Sequence, residues 1–76
     1  MATTLPMYVV YENPSDYPGK FVVRRWPNTL VSPPIPDPVP LIVCDSLEVA
    51  RAVVPPYAVC LQRSPDDDPA VREVWL

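Results

Sequence analysis

The chain is expected to fold as an α+β domain: a small, mostly antiparallel sheet in the order β-β-β-α-β-β, with one helix packed on one face. Three observations predict this. A Pro-Gly turn, Tyr17-Pro18-Gly19-Lys20, separates two β-branched and aromatic runs. Asp45 and Glu48 stand at the spacing of a helix cap. Thirteen of the 76 residues are proline and one is glycine, and prolines exclude helix interiors and central strand positions, so regular structure must lie between them.

The first run, residues 7–12, is Met-Tyr-Val-Val-Tyr-Glu and reads as a strand. In the turn that follows, Pro18 sits at the second position and Gly19 supplies a positive φ at the third, the pattern of type II. Residues 20–26, Lys-Phe-Val-Val-Arg-Arg-Trp, form the second strand of this hairpin, and Pro27 ends it. Residues 27–40 hold six prolines, at 27, 33, 34, 36, 38 and 40. The stretch 32–40 is expected to be extended and rich in polyproline II. It is long for a connection in so short a chain, and such connections are usually functional or flexible.

Residues 41–44, Leu-Ile-Val-Cys, are continuously apolar, which suits a strand buried on both faces or nearly so. Asp45 is expected to cap a helix over 46–54, with Glu48 completing the box. Leu47, Ala50, Val53 and Val54 then share one face, and Glu48 and Arg51 pair weakly on the other. Pro55-Pro56 stops the helix. Residues 57–63 read as a strand, and residues 64–69 as a polar loop. The segment 70–76 has a helix-like start at Asp68-Pro69. It is short and β-rich in composition, so a strand is expected. The core is expected to comprise Val9, Tyr11, Phe21, Val23, Val43, Leu47, Val53, Val59, Leu61 and Val74.

One domain over 1–76 is expected, holding the proline-rich connection 27–40. A chain this short buries about 60% of its unfolded surface, so the core is small. Hydrophobic residues at 49%, charged residues at 20% and a net charge of −3 argue for folding rather than disorder. The acidic balance argues against general nucleic-acid binding. No apolar run approaches the roughly 20 residues of a membrane span, and the first residues lack the basic and apolar regions of a signal peptide. A cytoplasmic protein with no membrane partner is expected, its Cys44 and Cys60 reduced and buried in strands. With no histidine in the chain, the commonest general base and metal ligand is missing. Two cysteines alone do not fill a zinc site. One glycine excludes phosphate-cradling loops. No enzyme activity and no cofactor are expected.

Two surface features remain. Tyr17, Lys20, Arg24, Arg25 and Trp26 form a basic–aromatic hairpin. On a strand Arg24 and Trp26 share a face, and a cation beside an aromatic ring can stack a base or hold a phosphate. The plainer reading is an edge strand blunted by charge. Asp66, Asp67 and Asp68 form an acidic run. Its residues are consecutive, with no glycine or distal glutamate of a calcium loop, so a solvated loop is favoured over a metal site. The run could also offer charge to a basic partner. Pro33-Pro34-Ile35-Pro36 contains a Pro-x-x-Pro match, read as a stiff spacer in preference to a proline-motif ligand.

Three segments resemble, as a set, short uncharacterised proteins of bacteria and their phages. They are Tyr-Pro-Gly-Lys-Phe-Val-Val-Arg at 17–24, Asp-Ser-Leu-Glu-Val-Ala-Arg at 45–51, and Asp67-Asp68-Pro69 followed by Glu73-Val74-Trp75-Leu76. The resemblance covers most of the chain outside the proline segment. It brings no activity, fold or functional residue with it. It implies an accessory protein of phage or prophage origin, such as an inhibitor of a host system. The expected function is therefore non-enzymatic binding of a larger protein partner, or of a second copy as a homodimer. The alternative is a nucleic-acid-contacting factor that uses strand 20–26.

Overall fold

The computed structural model describes residues 4–61 and 69–76. Five strands form one antiparallel sheet: β1 (Met7–Glu12), β2 (Phe21–Trp26), β3 (Ile42–Cys44), β4 (Cys60–Leu61) and β5 (Val71–Trp75). One helix, α1 (Leu47–Ala52), lies between β3 and β4 in the chain. The spatial order is β3-β2-β1-β5-β4. The architecture is the small α+β sheet-and-helix fold that the residue pattern predicts, and 71–75 is a strand.

The hairpin turn forms as its residues dictate. Gly19 has φ 75°, and the Lys20 amide donates to the Tyr17 carbonyl at 3.3 Å. Asn13 takes the left-handed conformation at φ 53°, and its Oδ1 accepts the Gly19 amide at 2.6 Å. This side-chain bridge closes the loop between β1 and β2.

The hairpin register decides which face is core. Glu12 pairs with Phe21, Val10 with Val23 and Met7 with Trp26. Even-numbered residues of β1 therefore share a face with odd-numbered residues of β2. The expected core set combined Val9 and Tyr11 with Phe21 and Val23, one residue out of this register. Val10, Val23 and Ala50 are the fully buried centre beneath the helix, with Tyr8, Phe21, Ile42, Cys44, Leu47, Val53 and Trp75 packed around them. Val9 and Val22 are buried on the opposite face, where Val9 sits between Arg24 and Val74 and Tyr11 is opposite Val22. Val43 and Leu61 are exposed because β3 and β4 are the two edges rather than buried strands, and Val59 is exposed just before β4, which begins at Cys60 rather than at the expected residue 57.

At β5 the ladder slips. Val10 pairs with Glu73 but Tyr11 with Val71, so Arg72 is an extra residue, a β-bulge. Its guanidinium lies 3.6 Å from Glu12.

The helix begins one residue later than expected. Ser46 is the cap, and its Oγ accepts the Val49 amide at 3.1 Å. Asp45 instead reaches across to the Lys20 ammonium. Both residue types cap well, and the nearby cation takes the carboxylate. Ser46→Ala should therefore cost about 1 kcal/mol, while Asp45→Ala should cost a few tenths, as an exposed ion pair does. Denaturant midpoints at constant m-value separate the two. A larger loss at Asp45 would return the cap to that residue. Arg51 also departs from expectation: it pairs with Glu73 on β5, not with Glu48 one turn away.

Candidate functional site

The basic–aromatic hairpin is not one surface. β2 lies inside the sheet, between β3 and β1, so it is not the charged edge strand expected. Alternation sends Arg24 and Trp26 to the face opposite the helix and Arg25 to the helix side. Lys20 precedes the strand and is held by Asp45. Tyr17 is half-buried in the turn. Trp26 is half-buried too, with its indole N–H enclosed and unpartnered among the described residues. It is not a bare stacking platform.

The charges on these residues are spent within the molecule. Arg24 Nη2 donates to Asp16 at 2.8 Å. Its Nη1 donates to the carbonyls of Asp37 at 3.3 Å and Pro38 at 3.1 Å. Arg25 lies 3.9 Å from Asp37. Arg51 pairs with Glu73 and Arg72 with Glu12. Among the described residues every lysine and arginine side chain sits within 4.0 Å of a carboxylate.

Arg24 stands in the wall of an open cleft of about 730 Å³, with Tyr11, Pro14, Val22 and Pro36 beside it. A guanidinium already bonded to a carboxylate and two carbonyls has little capacity for an incoming anion. Among the described residues no group of three or more His, Cys, Asp or Glu side chains could hold a metal ion. Asp66, Asp67 and Asp68 lie outside the described residues. No helix among the described residues is long and apolar enough to cross a membrane.

Cys44 is half-buried on β3 and Cys60 is exposed on β4. The expectation of two buried strand cysteines fails for Cys60. These strands are opposite edges of the sheet. Four inter-strand steps of about 4.8 Å place them roughly 19 Å apart, far beyond disulfide reach.

Comparison with protein-family models, with curated proteins and with solved structures finds no match. What the site can do rests on its own geometry.

Several of the exposed large apolar side chains lie in the proline segment, which composition reads as a stiff spacer in preference to a proline-motif ligand. It is a strap tied at both ends. At its start the Thr29 amide and hydroxyl both donate to the Leu5 carbonyl, at 2.9 and 3.0 Å. Asn28 Oδ1 accepts the Leu30 amide at 3.0 Å. At its end the Asp37 amide donates to the Arg25 carbonyl and the Leu41 amide to the Val23 carbonyl, both at 2.8 Å, and Arg24 holds the Asp37 and Pro38 carbonyls. Between the ties, Leu30, Val31 and Ile35 point to solvent, with Val39 just beyond. Ile35 is 69% exposed and Val39 74%. Val9 and Val22, on the sheet face opposite the helix, are 3% and 1% exposed. That face is therefore covered at its centre.

A second polar cluster joins helix to sheet. Arg51 Nε donates to both Glu73 oxygens, at 2.9 and 3.2 Å, and Trp75 Nε1 donates to Glu73 Oε1 at 3.2 Å. The Arg51 guanidinium holds the Glu73 carboxyl below the usual carboxylate range, against partial burial that acts the other way. Because the folded value lies below the unfolded one, this contribution is full above the unfolded pKa and is lost as pH falls through the folded value. Glu73→Gln should flatten the acid limb of a stability–pH curve and leave its slope near neutrality unchanged. A superimposable acid limb in chemical denaturation would remove Glu73 from that role.

Proposed function

We propose that this chain is a non-enzymatic interaction protein that docks on a larger protein through the strap 30–39. The observation that carries this reading is the combination of exposure and restraint: apolar side chains that point to solvent from a segment tied to the body at both ends. Exposed apolar clusters on a small domain mark contact surfaces. A tied, proline-rich segment also loses less freedom on binding than a free loop. Inhibition of a host system by binding one of its proteins, the role implied by the resemblance to phage-associated proteins, is the form this docking takes.

The pairing of every described cation speaks for a protein partner over nucleic acid, since phosphate contact needs free Lys or Arg. A photo-crosslinking residue placed at position 35 should give a discrete adduct with a larger protein in lysate of the source cells. The same residue at exposed Glu48 should give none, and unlabelled chain should compete unless it carries Ile35→Asp and Val39→Asp. Equal labelling from both positions, or none from position 35, refutes the strap as the contact. An adduct only between two copies would make the chain a homodimer instead. Retention of DNA or RNA at physiological salt, abolished by Arg24→Ala with Arg25→Ala, would favour the nucleic-acid reading.

A further inference from the structure

We infer that the partner of the strap is a protein groove lined by aromatic side chains that reads a short proline motif. The inference rests on the docking role proposed for 30–39 and names what that segment fits. Four observations converge on residues 33–35. Pro33, Pro34 and Ile35 are all exposed, whereas Pro36 is half-buried and lines the cleft beside Arg24. The run lies between the tie at Asn28–Thr29 and the tie at Asp37–Pro38, so it is held in place before any partner arrives. The segment 33–37 makes no strand or helix, which leaves its prolines available rather than packed into a ladder. Finally, Ile35, 69% exposed, stands among them as an apolar side chain turned mostly to solvent.

The recognition physics follows. Proline lacks an amide donor and has a fixed φ, so a proline run is stiff and is read by shape and apolar contact. Parallel aromatic rings form the slots that take such side chains. Charge narrows the class of groove further. The nearby cations Arg24 and Arg25 are engaged by Asp16 and Asp37, so among the described residues no free basic side chain flanks the motif to enter an acidic specificity pocket. The groove that fits is apolar and aromatic along its length, reading the two prolines and Ile35 without a salt bridge. Negative surface charge on the groove would also repel a chain of net charge −3.

The test uses the intact chain, isotopically labelled, and a panel of isolated SH3, WW and EVH1 domains as the groove-bearing probes. Titration to about 1 mM, the limit of useful affinity, should shift the amides around Ile35 with at least one domain whose groove is uncharged. The triple change Pro33→Ala, Pro34→Ala and Ile35→Ser should weaken that binding tenfold or more. Val59→Ser, exposed but outside the strap, should leave it within twofold. The variant's amide spectrum shows whether the sheet is intact, and the wild-type titration stands without it. No shift with any domain overturns the inference, as does binding that the triple change leaves unaltered. Crosslinking from position 35 to a large protein with no panel member binding would leave the docking role standing and remove the aromatic groove alone.

Discussion

Val23→Ala is expected to cost about 2–3 kcal/mol, the transfer of two methyl groups plus an incompletely collapsed cavity. Val23 is fully enclosed, opposite Val10 on β1 and Ile42 on β3 and beneath Ala50 of the helix. Every wall of its site is backbone-fixed: two neighbouring strands and a helix held at its far side by Arg51 and Glu73. Little can move in to fill the gap. A domain of this size has only about 5 kcal/mol to lose, so the variant should sit near half the parent stability. Val43→Ala, on an exposed edge position, should cost well under 1 kcal/mol. Urea midpoints of the pair would test the register directly. Equal losses would mean that Val23 does not occupy the centre of the core. Val10→Ala combined with Val23→Ala should be non-additive, since the two side chains share one cavity.

The elements were legible wherever a residue's own chemistry sets the backbone. Gly19 tolerates a positive φ and Pro18 presets its own, so the turn could be placed to the residue. The β-branched runs on either side gave β1 and β2, and Pro27 and Pro55 gave limits. What could not be read was anything set by two distant segments together. The face of β1 that meets the helix depends on the parity of the β1–β2 register, and hence on how eight loop residues close. The Asn13 side chain makes that closure by accepting the Gly19 amide. Composition holds no trace of it, and a one-residue change reverses every side chain.

The same limit governed the charges. Asp45 and Ser46 are both good caps, and only the approach of Lys20 from 25 residues away decides between them. Arg51 had a local candidate in Glu48 and found Glu73 instead. Arg24 and Arg25 read as a basic patch because their partners, Asp16 and Asp37, belong to two separate loops. The prolines of 27–40 were visible at once, but their role depends on ties to Leu5, Arg24 and Arg25 that no local pattern contains.

Arg24→Met should release those ties and cost about 1.5–3 kcal/mol, the worth of hydrogen bonds to a charged group that is mostly enclosed. Arg24 joins three parts of the chain: its own strand, the loop carrying Asp16, and the strap carrying Asp37 and Pro38. Methionine keeps the length of the stem against Val9 and Val22, so the loss isolates the guanidinium rather than the packing. The groups left behind are not trapped. Asp16 is exposed enough to hydrate, which keeps the cost below that of a stranded buried charge. The change should therefore be local as well as global. Amide exchange should quicken at Asp37, whose N–H bonds the Arg25 carbonyl, while Val10 and Val23 keep the protection of the remaining sheet. Lys20→Met, which removes a more exposed pair, should cost under 1 kcal/mol and leave the strap unaffected. If the strap carries the contact with the partner, Arg24→Met also weakens binding, because a freed segment must be ordered again on association. Unchanged exchange at Asp37 in the variant would show that the strap is held by its prolines alone, and that Arg24 is not its latch.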